Sequence, residues 1–298
     1  MMRRLLVLLV CAVGVIVVAG VLIMPGFGGA LGLRVLPALY STLVAERVPV
    51  EAGVRYGPHA RNRLDVYRPP PSGLAGVDTG PVVVFIYGGS WRRGERGVYG
   101  FLGAALAARG ITTVIPDYRL YPEVTFPGFV EDAAAAVAWS AKTLGAGAGS
   151  RRPLLLMGHS AGAHTAALVA LDGRYLARAG IAPDAIAGLI GLAGPYAFDP
   201  ITDPTTKDVF AGANPIEVRP VDFVKTRAPP ALLMHGDKDT TVKVGNMKAL
   251  HEALTGVGSR VRMLEPAGIG HTGLVLAISR PLRWLEEIVG FVEGVARE

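Results

Sequence analysis

Pro153-Leu154-Leu155-Leu156-Met157-Gly158-His159-Ser160-Ala161-Gly162, followed by the small-residue run to Leu171, is the stretch that decides how this chain is read. Its apolar start has the length of a buried strand, and the segment Ala161 to Leu171 has the length of a helix. Between them lies G-x-S-x-G. A strand that turns sharply into a helix at this pentapeptide forms a nucleophile elbow, in which the flanking glycines let the backbone take a strained turn and push the Ser160 Oγ into the open. The plainer alternative is a glycine-rich loop between strand and helix. A five-residue pattern with three fixed positions occurs by chance, so the weight rests on what else the chain supplies.

Outward from the elbow, apolar strand candidates alternate with helical patterns. The strands are Val82 to Ile86, Ile111 to Ile115, Leu154 to Met157, Ile186 to Leu192, Ala231 to Met234 and Arg260 to Leu264; the helical patterns include Gly100 to Ala108 and Glu131 to Leu144. Such alternation predicts an α/β fold with a mostly parallel sheet covered by helices on both faces. Val48 to Tyr56 and Arg63 to Tyr67 read as an opening antiparallel pair, and the proline-rich stretch from Pro69 to Gly80 as a surface loop.

A serine hydroxyl is a weak nucleophile near neutral pH. It needs a base to take its proton and a carboxylate to hold that base in the right tautomer. In folds built on this elbow the acid and then the base follow the serine along the chain. Ala231 to Met234 runs into the turn His235-Gly236-Asp237-Lys238-Asp239, which puts an acid at the carboxyl edge of the sheet; either Asp237 or Asp239 serves this reading. Of the six histidines, His251 and His271 lie beyond that acid. His251 falls in the helical pattern Lys243 to Leu254, where a surface or half-buried role is the commoner one. His271 falls in the glycine-rich loop Pro266 to Gly273, and catalytic groups collect on such loops at strand ends, so His271 is the candidate base. His159 is the variable position of the elbow, His164 is expected to face along its helix, and His235 is expected to be a satisfied strand-end histidine. No spacing suggests a metal site.

The tetrahedral oxyanion of an acyl transfer needs backbone donors. The β-branched run Pro81 to Ile86 ends in Tyr87-Gly88-Gly89-Ser90-Trp91, where glycines let N–H groups converge. The N–H of Gly89 or Ser90, with that of Ala161 after the serine, is the expected oxyanion hole.

With these residues in view, the chain from about residue 50 to 295 resembles the alpha/beta-hydrolase family. Within it, the likeness is to the carboxylesterases and lipases with an H-G-G-x-W oxyanion loop, such as hormone-sensitive-lipase-like esterases and kynurenine formamidases. Asp117-Tyr118-Arg119-Leu120-Tyr121-Pro122-Glu123 is similar to the D-Y-R-L-x-P-E segment of that branch. The resemblance implies polar contacts below the oxyanion loop for Asp117 to Arg119. It favours Asp239 as the acid, since H-G-x-x-D followed by an apolar residue such as Val242 is the usual form, and leaves Asp237 to shape the turn. Tyr87 stands where the family usually has histidine, which puts in question any substrate contact by that side chain. The implied activity is hydrolysis of carboxylic esters, without a cofactor; the short 194–229 segment adds the expectation of small acyl groups. Aryl formamide hydrolysis, acyl transfer and a catalytically silent interaction protein are the alternatives. The segment from Gly194 to Pro229 falls where the fold often carries a lid or acyl-pocket wall, and its prolines and shortness predict a modest pocket.

The 298 residues, 51% hydrophobic and 18% charged, suffice for one large core and show no shift towards a second catalytic domain. Residues 1–25 read separately. Arg3 and Arg4 precede the uncharged run Leu5 to Met24, which as a helix would span about 30 Å, enough to cross a bilayer. The run is longer than an ordinary leader, which favours a signal anchor over a cleaved signal peptide, although Gly28-Gly29-Ala30 offers a cleavage site. The basic start keeps the amino end cytoplasmic, so the catalytic domain is expected outside, in the periplasm or at the cell surface of a bacterium, or secreted if the leader is cleaved. Residues 26–49 read as an amphipathic connecting segment, and 50–298 as the catalytic domain. The lone Cys11 permits no intrachain disulfide. The net charge of +6 suits an anionic membrane surface. Scattered Lys and Arg residues argue against nucleic acid, and oligomeric state is not legible.

Overall fold

The computed structural model describes residues 48–71, 80–147, 149, 152–277 and 283–298. The expected membrane helix at 1–25 and nearly all of the connecting segment 26–49 lie outside the described residues. Among the described residues no helix is long and apolar enough to cross a membrane.

The elements in chain order are β1 (Val50–Arg55), β2 (Arg63–Tyr67), β3 (Val82–Ile86), α1 (Gly100–Ala107), β4 (Thr112–Pro116), α2 (Gly128–Leu144), β5 (Leu154–His159), α3 (Ala161–Leu171), α4 (Gly173–Arg178), β6 (Ile186–Leu192), β7 (Ala231–Met234), α5 (Gly245–Gly256), β8 (Val261–Leu264), α6 (His271–Leu276) and α7 (Arg283–Ala296). They build one eight-stranded sheet in the order β1-β2-β4-β3-β5-β6-β7-β8. β2 runs antiparallel to both β1 and β4, and every pairing from β4 through β3 to β8 is parallel. All residues of β3, β4 and β5 are buried, although successive side chains point to opposite faces, so both faces of the sheet are covered. At the far edge β8 is half-buried with Arg262 exposed, as an edge strand should be.

Element bounds differ from the sequence reading in small ways. α2 starts at Gly128, before the expected Glu131, because Phe129 and Val130 already carry its buried face. β5 runs on to His159, since its ladder to β6 continues through Gly158–Gly191 and His159–Leu192.

The parallel register aligns the strand ends. Ile86 of β3 lies opposite Gly158 of β5, and Leu192 of β6 lies opposite both His159 and Met234, which in turn faces Leu264 of β8. The segments that leave these ends therefore emerge along one carboxyl edge, where open α/β sheets gather their ligands. Gly162 brings α3 against that edge. A Cβ built there would lie 2.1 Å from the Ile86 carbonyl oxygen and 2.4 Å from that of Tyr87, so any larger residue must push the helix off the sheet.

Candidate active site

Ser160 sits between β5 and α3 with φ 56° and ψ −124°. That left-handed value is costly for a residue with a Cβ and marks the strained turn expected of the elbow. The surroundings hold it in place: the Ser160 N–H donates to the Leu192 carbonyl at 2.8 Å, extending the ladder beyond the strand.

The loop after β8 carries His271 to the first residue of α6, and its Nε2 lies 2.8 Å from the Ser160 Oγ. Its Nδ1 lies 2.7 Å from Oδ2 of Asp239, on the turn after β7. Of the two acids left open by the residues alone, Asp239 is thus the one that reaches the imidazole. Asp237 instead accepts the Gly268 N–H at 2.6 Å and so shapes the loop that carries His271.

The Asp239 side chain is fully buried. Its Oδ1 accepts the N–H groups of Thr241 at 2.8 Å and Val242 at 2.9 Å. Burial alone would raise this carboxyl, but the hydrogen bonds from His235, His271 and the Val242 N–H outweigh it and hold the group well below the usual carboxylate range. The lowered pKa favours the ionised form, as suits a group that must stabilise an imidazolium.

The oxyanion loop leaves β3 through Gly88, with Gly89 at φ 130° and Ser90 at φ 52°. A Cβ on Gly89 would meet the Arg93 carbonyl oxygen at 2.0 Å, so glycine alone fits this turn. Trp91 ties the loop to α3: its Nε1–H donates to the Thr165 Oγ1 at 3.1 Å, and that hydroxyl donates to the Ala161 carbonyl at 3.0 Å. Gly89 and Ser90 line the same cavity as Ser160 and His271, and Ala161 opens the helix that follows the serine.

Tyr87 points away from this cavity. It is fully buried, stacked on Tyr118 at 4.7 Å between ring centroids, and its hydroxyl donates to the Asp117 Oδ1 at 2.8 Å. Arg61 Nη2 donates to that hydroxyl at 2.9 Å, and Arg96 reaches Asp117 with both its N–H, at 2.8 Å, and its guanidinium, while its Nε bonds Asp65 at 2.7 Å. This buried network props the oxyanion loop from below, as expected for Asp117. Arg119 serves a neighbouring joint through a two-pronged contact with Asp132 on α2, both bonds at 2.8 Å. Arg61, Asp65 and Arg96 went unread in the sequence, since nothing local marks a pairing across dozens of residues.

Three other histidines have settled roles. His159 is buried beside His271, their ring centroids 4.9 Å apart, and its Nε2 donates to the His271 carbonyl at 3.1 Å. Burial, then the neighbouring His271, pushes its pKa down to about 3. His164 is buried with Nε2 2.7 Å from the Val218 carbonyl, pinning the 194–229 segment to α3. His251 lies half-buried on α5 and is not among the residues that line the cavity over Ser160.

A cavity of about 710 Å³ opens over Ser160 and His271. Tyr99, Val98 and Val275 give it an apolar patch; Arg93, Glu95, Thr241 and Thr272 give it polar groups. No residue of the 194–229 segment lines it, contrary to the expected acyl-pocket wall. Phe198 and Phe210 pack instead on Trp91, at 6.5 and 4.9 Å between centroids, because the Trp91 ring turns inward to reach Thr165. Among the described residues no cluster of side chains is suited to hold a metal ion.

Two family models match the chain: BD-FAE over residues 64–186 and the prolyl oligopeptidase family over residues 128–298. Isoprenylcysteine alpha-carbonyl methylesterase of Arabidopsis thaliana is 32% identical over 88% of this chain and 63% of that protein. A probable isoprenylcysteine alpha-carbonyl methylesterase of Oryza sativa subsp. japonica is 31% identical over 92% of this chain and 67% of its own length. Esterase LipC of Mycobacterium tuberculosis is 28% identical over 76% and 63%. The chain spans about two thirds or less of the length of these curated relatives. Among solved structures, esterase B of Lactobacillus rhamnosis superposes with a TM-score of 0.69 at 21% identity, over 90% of this chain and 95% of that one. Esterase 2 of Thermogutta terrifontis does so with a TM-score of 0.66 at 20% identity, over 84% and 95%. At such identities these likenesses speak for the fold.

Proposed function

Because the chain belongs to the alpha/beta-hydrolase family, in its carboxylesterase and lipase branch, we propose that it is a serine hydrolase of carboxylic esters with short acyl groups, acting through Ser160, His271 and Asp239. The observation that carries this reading is the unbroken hydrogen-bonded line from the Ser160 Oγ through the His271 ring to the Asp239 carboxylate, opening on a cavity beside the Gly89–Ser90 loop.

In this mechanism Oγ attacks the ester carbonyl while the His271 Nε2 takes its proton. Asp239 holds Nδ1–H in place and stabilises the imidazolium. The N–H groups of Gly89 or Ser90, with that of Ala161, receive the oxyanion. His271 returns the proton to the leaving alcohol, and then activates a water that clears the acyl-enzyme. The apolar lining of Tyr99, Val98 and Val275 stands beside the polar Arg93, Glu95, Thr241 and Thr272, which suits a short acyl chain better than a long one.

The test is a panel of p-nitrophenyl esters of rising acyl length beside an aryl formamide. Turnover is expected to be highest on the short esters and to fall as the chain lengthens. Faster turnover of the formamide would move the reading to amide hydrolysis, and no turnover of any, with Ser160 inert to a fluorophosphonate, would leave a silent interaction protein.

The names of the plant relatives add an isoprenylcysteine methyl ester to the substrates worth including. The hydropathy of residues 5–24 supports the further proposal that the enzyme is held at a membrane with its catalytic domain outside the cytoplasm. Protease added to spheroplasts, whose outer layers are opened while the inner membrane stays sealed, is then expected to degrade the domain, and full protection would count against that placement.

A further inference from the structure

His235 is read from the sequence as a strand-end histidine with its bonds satisfied, yet it lies where such a residue acts on the site. It is fully buried directly after β7, and its Nε2 faces two oxygens at once, the Val242 carbonyl at 2.8 Å and Oδ2 of Asp239 at 3.2 Å. A nitrogen between two acceptors must carry the proton. Its Nδ1 is buried with no hydrogen-bond partner, so the ring is held from the ε side only. The same Oδ2 accepts Nδ1–H of His271, while Oδ1 is taken by the N–H groups of Thr241 and Val242. The four lone-pair sites of the carboxylate thus face four donors, two of them on imidazoles.

Resting on the proposed roles of Ser160, His271 and Asp239, we infer that His235 is a positioning residue, which fixes the Asp239 carboxylate and shares its Oδ2 so that the grip of Asp239 on His271 is moderated. One oxygen divided between two donors binds each less strongly than it would bind one alone. His235 therefore restrains how far Asp239 stabilises the His271 imidazolium, and also keeps the carboxylate from rotating out of line.

The other titratable groups around His271 are His159, from the end of β5, and Ser160; Arg93 and Glu95 lie farther out in the same cavity. Asp239 faces His235 and His271. Of these, Asp239 is the group within hydrogen-bonding distance of position 235, and His159 feels His235 more weakly than it feels burial or His271, so a shift in the pH profile reports chiefly the Asp239–His271 pair.

The test compares His235→Leu, of similar bulk with no donor, with His235→Gln, whose amide nitrogen can stand where Nε2 does. In His235→Leu the acid limb of kcat/KM is expected to move to higher pH, because Asp239 then serves His271 alone. The plateau is expected to fall about tenfold as the carboxylate loses a restraint, the worth of one hydrogen bond to a charged group. His235→Gln is expected to keep the wild-type limb and most of the rate. If the leucine variant does not fold, His235→Asn, polar but too short to reach Oδ2, replaces it with the same expected limb shift. A donor-less variant with an unmoved limb, or a glutamine variant no better than leucine, overturns the proposal. Failure of the underlying reading is distinguished by Ser160→Ala, which would then keep the activity whose pH profile is being measured.

Discussion

Replacing Ser160 with alanine is expected to lower kcat on a short p-nitrophenyl ester by about 10⁴- to 10⁶-fold while leaving the fold intact. Loss of the nucleophile alone costs nearly the whole contribution of such a triad, because base and carboxylate have nothing left to activate. What survives is catalysis by the oxyanion donors and by binding. The substitution removes one hydroxyl and relieves none of the backbone turn at φ 56°, which is kept by the Ser160 N–H bond to Leu192 and the close approach of Gly162 to β3. Circular dichroism and urea unfolding should therefore match the parent, and fluorophosphonate labelling should vanish. Retained turnover at more than a few per cent would end the assignment of Ser160.

Asp239→Asn is expected to cost about 10⁴-fold in kcat, since an amide in place of Oδ2 can present N–H groups to His271 and favour the wrong tautomer, leaving no lone pair on Nε2 to take the serine proton. Asp237→Asn, two residues away, is expected to cost less than about tenfold: it disturbs one bond to the Gly268 N–H and touches neither ring. Measuring kcat for the pair separates the acids that the local sequence leaves open. Equal losses would mean that the loop, and not the carboxylate at 239, is what matters. Because its donors hold Asp239 well below the usual carboxylate range, the carboxylate is expected to stay ionised on mild acidification. Loss of rate on mild acidification is then expected without protonation of the Asp239 carboxylate.

How much of this was legible in the chain depended on the range of the interactions involved. The elbow is local, since G-x-S-x-G lies between an apolar run and a small-residue run, and both the turn and the helix follow from neighbours in sequence. The alternation of strands and helices is local too, because each element declares its period within a dozen residues. His271 could be singled out by loop context. Asp239 needed the resemblance, because either acid of the turn stands at the sheet edge and the choice depends on which oxygen meets a ring 32 residues further on.

What the amino-acid sequence by itself determined is the α/β class, the serine on its strained turn and the glycine loop before it, because short-range sterics and hydrophobic period set each of them. Only the tertiary structure decided which acid reaches His271, that Tyr87 turns inward to Asp117 and Arg61, that the 194–229 segment packs on Trp91 and leaves the cavity wall to other residues, and that His235 shares the Asp239 carboxylate. The physical reason is that these outcomes depend on the register of parallel strands. Ile86, Gly158, Leu192 and Met234 come level only after the sheet has formed, and that alignment carries groups distant in the chain to within hydrogen-bonding distance.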